Sequence, residues 1–366
     1  MATKSKIVES AFRLGSGRYI QEDGAISRLA EELKLLGAKK PFIMAGKTAW
    51  SVAKSAVRSS LDEADMERVL YIYEGFCDPV HGERIVSRDD FLECDAVVGI
   101  GGGNVMDASK LCAALKGLPV INIPTSSATC AAYTPLSVMY NAKGQSIGTR
   151  HHKQEVNCIL ADMNILSRQP VRLLVAGIYD SLAKVPEIRQ RLLGKSPDEI
   201  DIGLYSASEL SRVMSDRLLA DLEEVCEDVR AGVNSKKVYD TVYMTIALTG
   251  VISSLSRGSN QTALAHKIYE TTRTLFPVEA HDALHGELVA VGLLTQLAYN
   301  GQSEEMKSFC EGMRRYGMPT TLSEAGVVTD DETMERYYDL IVNSSAMAGT
   351  TKEEQARFRD MLEIIR

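Results

Sequence analysis

The sequence predicts an α/β domain with a parallel, doubly wound sheet over residues 1–162, joined to an all-helical domain over residues 163–366. Three observations predict it. Short β-branched runs alternate with amphipathic helical patterns up to residue 160. Strand patterns disappear from Pro170 onward and helical spacing takes over. Between them, residues 95–140 spell strand, glycine turn, helix and strand in immediate succession. No internal repeat or low-complexity segment interrupts either half.

Residues 7–20 alternate weakly around Gly15-Ser16-Gly17 and read as an irregular or β start. Ile26, Leu29, Ala30, Leu33 and Leu36 share one face of a helix over 25–36 that stops near Gly37. Residues 41–45 form a strand, Gly46-Lys47-Thr48 a turn, and 49–61 a helix. Residues 68–73 are the next strand, 75–82 a connection that leaves His81 at the surface, and 84–92 a short helix. The apolar run 96–100 is a buried strand. Met106, Leu111, Ala114 and Leu115 place a helix directly behind the glycines, and 120–123 is a second buried strand. Residues 136–140 and 146–149 form a hairpin about the turn Asn141-Ala142-Lys143-Gly144-Gln145, 158–160 is the last strand, and Asp162 marks the domain exit. Helices are expected over 172–184, 203–220, 220–233, 239–256, 261–276, 287–299, 303–316 and 332–344.

A chain of 366 residues accommodates two domains and a large core. Its charged share of 25% and hydrophobic share of 45% are those of a globular protein in water. The net charge of −8 argues against a nucleic-acid partner, which would need a basic face. No apolar run approaches the roughly 18 residues of a membrane span, and the first nine residues lack an apolar stretch, so no membrane association is expected. Seven cysteines without a CxxC pair suit a reducing compartment, hence a cytoplasmic location.

Two constellations carry chemistry. Gly101-Gly102-Gly103-Asn104 strips the turn between strand and helix of side chains, so an anion can reach the backbone N–H groups at the helix start. A glycine triplet also suits a plain tight turn; the hydroxyl-rich second loop, Thr125, Ser126, Ser127 and Thr129, turns the reading toward nucleotide binding. In the helical half, Asp180 ends an apolar run, His266 sits on an alanine-rich helix, and His285 starts a helix of Val, Ala, Gly and Leu. One carboxylate and two imidazoles from three helices suit a borderline divalent cation with a coordination position left open. Taken alone, such a histidine pair is more often structural. His281, four residues before His285, is a local partner on the same helix face or an outer-sphere group, and His151 and His152 are solvated.

These residues together carry a resemblance. The order is Gly-Ile-Gly-Gly-Gly-x-x-x-Asp-x-x-Lys at 99–110, Pro124-Thr125, Leu-Ser-Val-x-Tyr at 136–140, Ala-Gly-Ile-x-Asp-x-Leu-Ala at 176–183, Ala-x-Ala-His at 263–266 and His-Gly-Glu-x-Val-Ala-x-Gly at 285–292. It resembles the metal-dependent (iron-type) alcohol dehydrogenase superfamily over nearly the whole chain, in its glycerol dehydrogenase branch. Residues 128–141 are more similar to the hydroxycarboxylate dehydrogenases of that branch.

The resemblance implies a Rossmann-like N-terminal domain and a helical C-terminal domain, as in dehydroquinate synthase-like folds, with the site in the cleft between them. It implies one divalent metal, Zn2+ or Fe2+, on Asp180, His266 and His285. It places NAD or NADP against Gly102, Gly103, Asn104, Asp107, Thr125, Ala128, Thr134, Leu136 and Tyr140, and suggests a homo-oligomer. Hydride would pass between the nicotinamide and a small substrate whose oxygen the metal holds.

Departures from the branch bear on the substrate. Cys130 stands where the glycerol enzymes have an aspartate, which removes a polyol acceptor and a source of repulsion against a substrate carboxylate, and so favours a 2-hydroxy or 2-oxo acid over glycerol. Gly46 and Lys47 replace the acid that holds an adenosine ribose, and Lys47 would attract the 2′-phosphate of NADP. Asn104 replaces a lysine of the glycine turn. Tyr269-Glu270-Thr271 replaces His-Asn-Gly in the pocket wall, and Tyr179 replaces a glycine beside Asp180. Pro186 interrupts the following helix, and a histidine-bearing loop is missing near Ser345-Ala346-Met347-Ala348-Gly349. Cys130, Tyr179, Tyr269 and His281 are accordingly the expected substrate-pocket residues. Competing expectations are a polyol dehydrogenase, a dehydroquinate synthase-like lyase, and a binding or regulatory descendant without turnover.

Overall fold

Side chains alternate along a strand, so a strand that is apolar at every position has to be covered on both faces. In the computed structural model, which describes residues 14–256 and 261–366, three strands of this kind, apolar but for Asn122, lie in mid-sheet. They are β2 (Pro41–Gly46), β4 (Ala96–Gly101) and β5 (Val120–Pro124), flanked by β1 (Arg18–Glu22), β3 (Val69–Tyr73) and β8 (Cys158–Asp162) in the all-parallel order β1-β8-β5-β4-β2-β3. Ile43, Ala45, Val98, Ile100, Ile121 and Ile123 point to one face and pack with α1 (Leu29–Leu35) and α2 (Lys47–Glu63). Phe42, Met44 and Val97 point to the other, toward α3 (Pro79–Val86), α4 (Asp89–Leu92) and α5 (Gly103–Lys116). The strands β6 (Leu136–Tyr140) and β7 (Ser146–His151) pair separately as an antiparallel hairpin, with a register shift at Met139/Tyr140. Part of the expected irregular start, residues 7–13, lies outside the described residues.

The helical half comprises α6 (Met163–Leu166), α7 (Val171–Leu182), α8 (Lys184–Leu192), α9 (Ile202–Ala231), α10 (Lys236–Tyr243), α11 (Thr249–Leu255), α12 (Leu264–Leu275), α13 (His285–Tyr299), α14 (Ser303–Arg315), α15 (Asp331–Val342) and α16 (Lys352–Leu362). Helix α13 is apolar all round and therefore central: α7, α12, α14 and α16 pack about it, and Leu288, Val289, Ala290, Val291 and Leu293 are fully buried.

Several local expectations are corrected. The helices expected over 203–220 and 220–233 are one, α9, because Ala220 is a good helix former and no breaker precedes Gly232, whose φ of +68° ends it. Helix α3 begins inside the expected 75–82 connection, since Asp78 caps it and Pro79 fits its first turn. His81 is therefore helical and half-buried, stacked on Tyr73 with ring centroids 5.1 Å apart. His152 is not solvated: it is buried, with Nε2 2.8 Å from Ser137 Oγ, and burial pushes its pKa down to about 3. Helix α16 was not anticipated, although Thr351 and Glu354 form its capping box. Pro186 does not break α8; it occupies the first turn, where no N–H is needed, and it separates α8 from α7 at Ala183. One run does reach membrane-spanning length: Lys236–Leu255, 20 residues with hydropathy 1.3, 61% of that window being buried. It packs on α7 and α9 across a π-turn at Met244–Leu248, as a core helix does.

Candidate metal and dinucleotide site

Helix α7 carries Asp180 and is clamped to the start of α13. Arg172 in its first turn forms a two-pronged pair with Glu287, 2.6 and 2.8 Å, and also donates to the Asp282 carbonyl at 2.8 Å. Glu287 in turn accepts the Leu284 N–H at 2.8 Å, which fixes where α13 begins and so where His285 points. The helices touch backbone to backbone. A Cβ on Gly286 would lie 1.9 Å from the Ala176 carbonyl oxygen, and one on Gly177 would lie 1.9 Å from that of Ser127 in the β5 loop. Only glycine allows either approach.

His266 comes from the first turn of α12, whose orphan N–H groups are satisfied by a residue of another helix. Glu187 Oε1 accepts from Ala263 N–H at 2.8 Å and His266 N–H at 2.9 Å, while its Oε2 lies 2.6 Å from His266 Nδ1. A proton held on Nδ1 by this carboxylate leaves Nε2 with its lone pair, the state a metal ligand needs.

The structure brings Asp180, His266 and His285 together, with one ligand atom from each lying within 4.8 Å of the others. Nε2 of His266 is 3.2 Å and Nε2 of His285 is 3.3 Å from Asp180 Oδ1. That oxygen is fully buried yet has no hydrogen bond of acceptable geometry. A buried carboxylate oxygen left over between two imidazole nitrogens fits a cation. Burial alone would raise the Asp180 pKa, but the His285 and His266 contacts hold it well below the usual carboxylate range. Burial likewise opposes a charge on His266, yet the Glu187 carboxylate carries its pKa up to about 9. Lys184, the first residue of α8, is buried with Nζ 3.2 Å from His266 Nε2.

Across the cleft, Gly102 is the N-cap of α5, with no side-chain cap. The N–H groups of Gly103 and Asn104 therefore open the helix without intrahelical acceptors. A Cβ on Gly102 would lie 3.7 Å from Ser126 Oγ and one on Gly103 3.4 Å from Thr129 Oγ1, so the turn faces the hydroxyl-rich loop at contact distance. Thr125 closes its far side through N–H to the Gly101 carbonyl at 3.0 Å. Gly46 and Lys47 start α2 on the neighbouring strand, again without a side-chain cap. Beyond the turn, Asp107 is engaged by Lys110 (2.9 Å) and the Val138 N–H (3.1 Å). Lys110 Nζ also donates to the carbonyls of Ala131, Thr134 and Leu136. This tie holds the 130–136 loop against α5. Ala128 lies against Gly177.

The halves meet at the cage. Tyr140 on β6 and Tyr269 on α12 share a hydrogen bond of 2.7 Å between hydroxyls, and the Tyr269 ring lies edge-on to His285 at 4.1 Å. Cys130 is close enough to feel Asp180, and burial pushes its thiol up to about 11. Two expected pocket residues are elsewhere. Tyr179 faces away from the cage, packed edge-on to Phe309 at 5.9 Å, because successive helix residues point about 100° apart. His281 precedes α13 rather than sharing its face; it is exposed and touches Phe76. Glu187 and Arg172 were missed. No spacing rule marked Glu187, which lies on α8, the helix after the one that carries Asp180.

Glu187 can be tested directly. Glu187→Gln keeps the shape but reverses the demand on His266 Nδ1, and is expected to weaken metal binding about 10–100-fold. Titration of the apoprotein with a competing chelator reads this, and an unchanged affinity refutes the positioning role.

The family model described as iron-containing alcohol dehydrogenase matches residues 16–163. The chain is 31% identical over 326 residues to a glycerol dehydrogenase of Thermotoga maritima, covering 87% of this chain and 86% of that one. It is 28% identical over 316 residues to hydroxycarboxylate dehydrogenase A of Escherichia coli, covering 86% and 85%. The crystal structure of a glycerol dehydrogenase from Schizosaccharomyces pombe superposes with a TM-score of 0.81 at 23% identity, covering 96% of this chain and 89% of that one.

Proposed function

We propose, from the premise that this chain belongs to the iron-containing alcohol dehydrogenase superfamily and is closely related to its glycerol and hydroxycarboxylate dehydrogenase branches, that its substrate is a small 2-hydroxy acid or the matching 2-oxo acid. The chain is a metal-dependent, NAD(P)-linked oxidoreductase of CH–OH groups on small polyol or hydroxy-acid substrates. One observation carries the reading: Asp180, His266 and His285 gather their ligand atoms within 4.8 Å, beside Cys130 and the Tyr269 that is bonded to Tyr140 of the dinucleotide-type half.

In this reading Asp180, His266 and His285 hold one divalent cation. The family's description favours Fe2+, although one carboxylate and two imidazoles serve Zn2+ as well, and elemental analysis decides. When bound, the cation supplies Lewis-acid polarisation of the substrate oxygen, and the nicotinamide supplies or accepts the hydride. The chain's own residues do the rest. Glu187 keeps His266 in the ligating tautomer. The N–H groups of Gly103 and Asn104, with Gly102 and Thr125, receive the pyrophosphate at the α5 start. Ala128, Thr134, Leu136 and Tyr140 line the nicotinamide side, held in place by Asp107 and Lys110. The Tyr140–Tyr269 pair closes the wall beside His285 and excludes water. Cys130 leaves the pocket without an acid, which favours a carboxylate-bearing substrate. A polyol dehydrogenase is the alternative, favoured by the glycerol dehydrogenase relative. We place the domain boundary after Asp162, where β8 ends, and propose a cytoplasmic homo-oligomer, which light scattering tests.

The test is a panel of 2-oxo acids, 2-hydroxy acids and polyols assayed with both cofactors, before and after chelation. Turnover of oxo acids, lost on chelation and restored by added metal, is the expected result; turnover confined to polyols refutes the hydroxy-acid reading. The cofactor has its own probe. Lys47 at the start of α2 would meet a 2′-phosphate, so Lys47→Asp is expected to raise KM for NADPH about tenfold or more and to leave NADH unharmed. Equal effects on both cofactors would remove Lys47 from the ribose site.

A further inference from the structure

We infer that Lys184 is the receptor for the substrate's carboxylate, an ammonium set beside the cage to bind the acid end of a 2-hydroxy or 2-oxo acid. The inference rests on the hydroxy-acid reading given above. Lys184 opens α8, four residues after Asp180, and is only 3% exposed. Its hydrogen-bond partner among the described residues is Nε2 of His266, at 3.2 Å. None of their carboxylates lies within the 4.0 Å of an ion pair with it. A buried ammonium whose partner is an imidazole nitrogen and not a carboxylate lacks a proper counter-ion.

Metal binding sharpens the deficit. Nε2, the atom that Lys184 contacts, is the one that Glu187 on Nδ1 leaves for a cation, so the ammonium has no acceptor there when His266 ligates. A divalent cation and one ammonium against the carboxylates of Asp180 and Glu187 leave one positive charge uncompensated in a buried site. A monoanionic ligand compensates it; a neutral polyol does not. The chemistry of a 2-hydroxy acid suits the place, because its carboxylate sits on the carbon that bears the reacting oxygen. Lys184, 3.2 Å from His266 Nε2 of the cage, is placed to receive that carboxylate. The opposite loop adds no acid, since the residue that senses both Asp180 and Lys184 there is Cys130.

The test is a calorimetric titration of the metal-loaded full-length protein with oxamate, an unreactive 2-oxo acid analogue, and with propane-1,2-diol, with metal content measured on the same samples. Lys184→Met is expected to keep its metal and its diol affinity while binding oxamate about 30-fold more weakly or worse, and Lys184→Arg to recover most of the loss. Should Lys184→Met fail to fold, Lys184→Gln decides: it keeps a polar side chain of similar length without the charge and is expected to cost oxamate affinity by a similar factor. Wild-type binding of oxamate that neither Lys184→Met nor Lys184→Gln alters overturns the role of Lys184 and leaves the hydroxy-acid reading standing. A Lys184→Met protein that gains metal affinity tenfold with oxamate binding unchanged also overturns it, because the ammonium would then only fill the cation's place. Wild-type binding of the diol but not of oxamate overturns the hydroxy-acid reading, and Lys184's role falls with it.

Discussion

Asp180→Asn is expected to leave the protein folded, with metal content below about a tenth of wild type and kcat/KM down about 1,000-fold. The amide preserves shape and volume, so the helical core around α7, where Asp180 is 3% exposed, keeps its packing. What is lost is the anionic oxygen at the centre of the cage, the atom 3.2 Å and 3.3 Å from the two imidazoles. The remaining pair, His266 and His285, supplies two neutral ligands where the wild type offers three with one charge. Elemental analysis after dialysis, together with circular dichroism, separates loss of metal from loss of fold. A variant that retains stoichiometric metal would falsify the ligand assignment.

Gly286→Ala carries the largest expected effect on stability. The new Cβ would fall 1.9 Å from the Ala176 carbonyl oxygen and 2.5 Å from its carbon. Neither atom is the end of a flexible side chain, so α7 and α13 have to move apart along a seam buried at the centre of the helical domain. Overpacking of this kind costs about 3 kcal/mol, which for a domain of this size lowers Tm by roughly 5–10 °C. The same movement carries His285 away from Asp180, so metal affinity falls together with stability. Thermal melts and metal titrations of one preparation check both; an unshifted Tm means the helices are not in contact as described.

Much of the fold was legible in the sequence because it follows from periodicity. The run that became β4 is apolar at successive positions and that of β5 departs from this only at Asn122, which requires cover on both faces. The glycine turn announced itself by residue type, since three glycines at a strand end leave little else to do. Misreadings fell where a neighbour, rather than a pattern, set the outcome. His152 sits in a charged stretch of sequence, but hairpin pairing turns it inward onto Ser137. Tyr179 adjoins a ligand in sequence, yet helix geometry sends it to Phe309. The helix expected to end at residue 220 continues because nothing stops it.

By itself the sequence determined the division of the chain into an α/β half and a helical half, the side-chain-free glycine turn and the residue types on offer to a cation, because each depends on residues near one another in the chain. Only the tertiary structure decided that Glu187 orients His266 from 79 positions away, that Arg172 fixes α13 through Glu287, and that the ammonium of Lys184 lies beside the cage. Those are matters of which helix faces meet, and the meeting is set by close glycine approaches and buried charge pairing between distant segments, which no local pattern encodes.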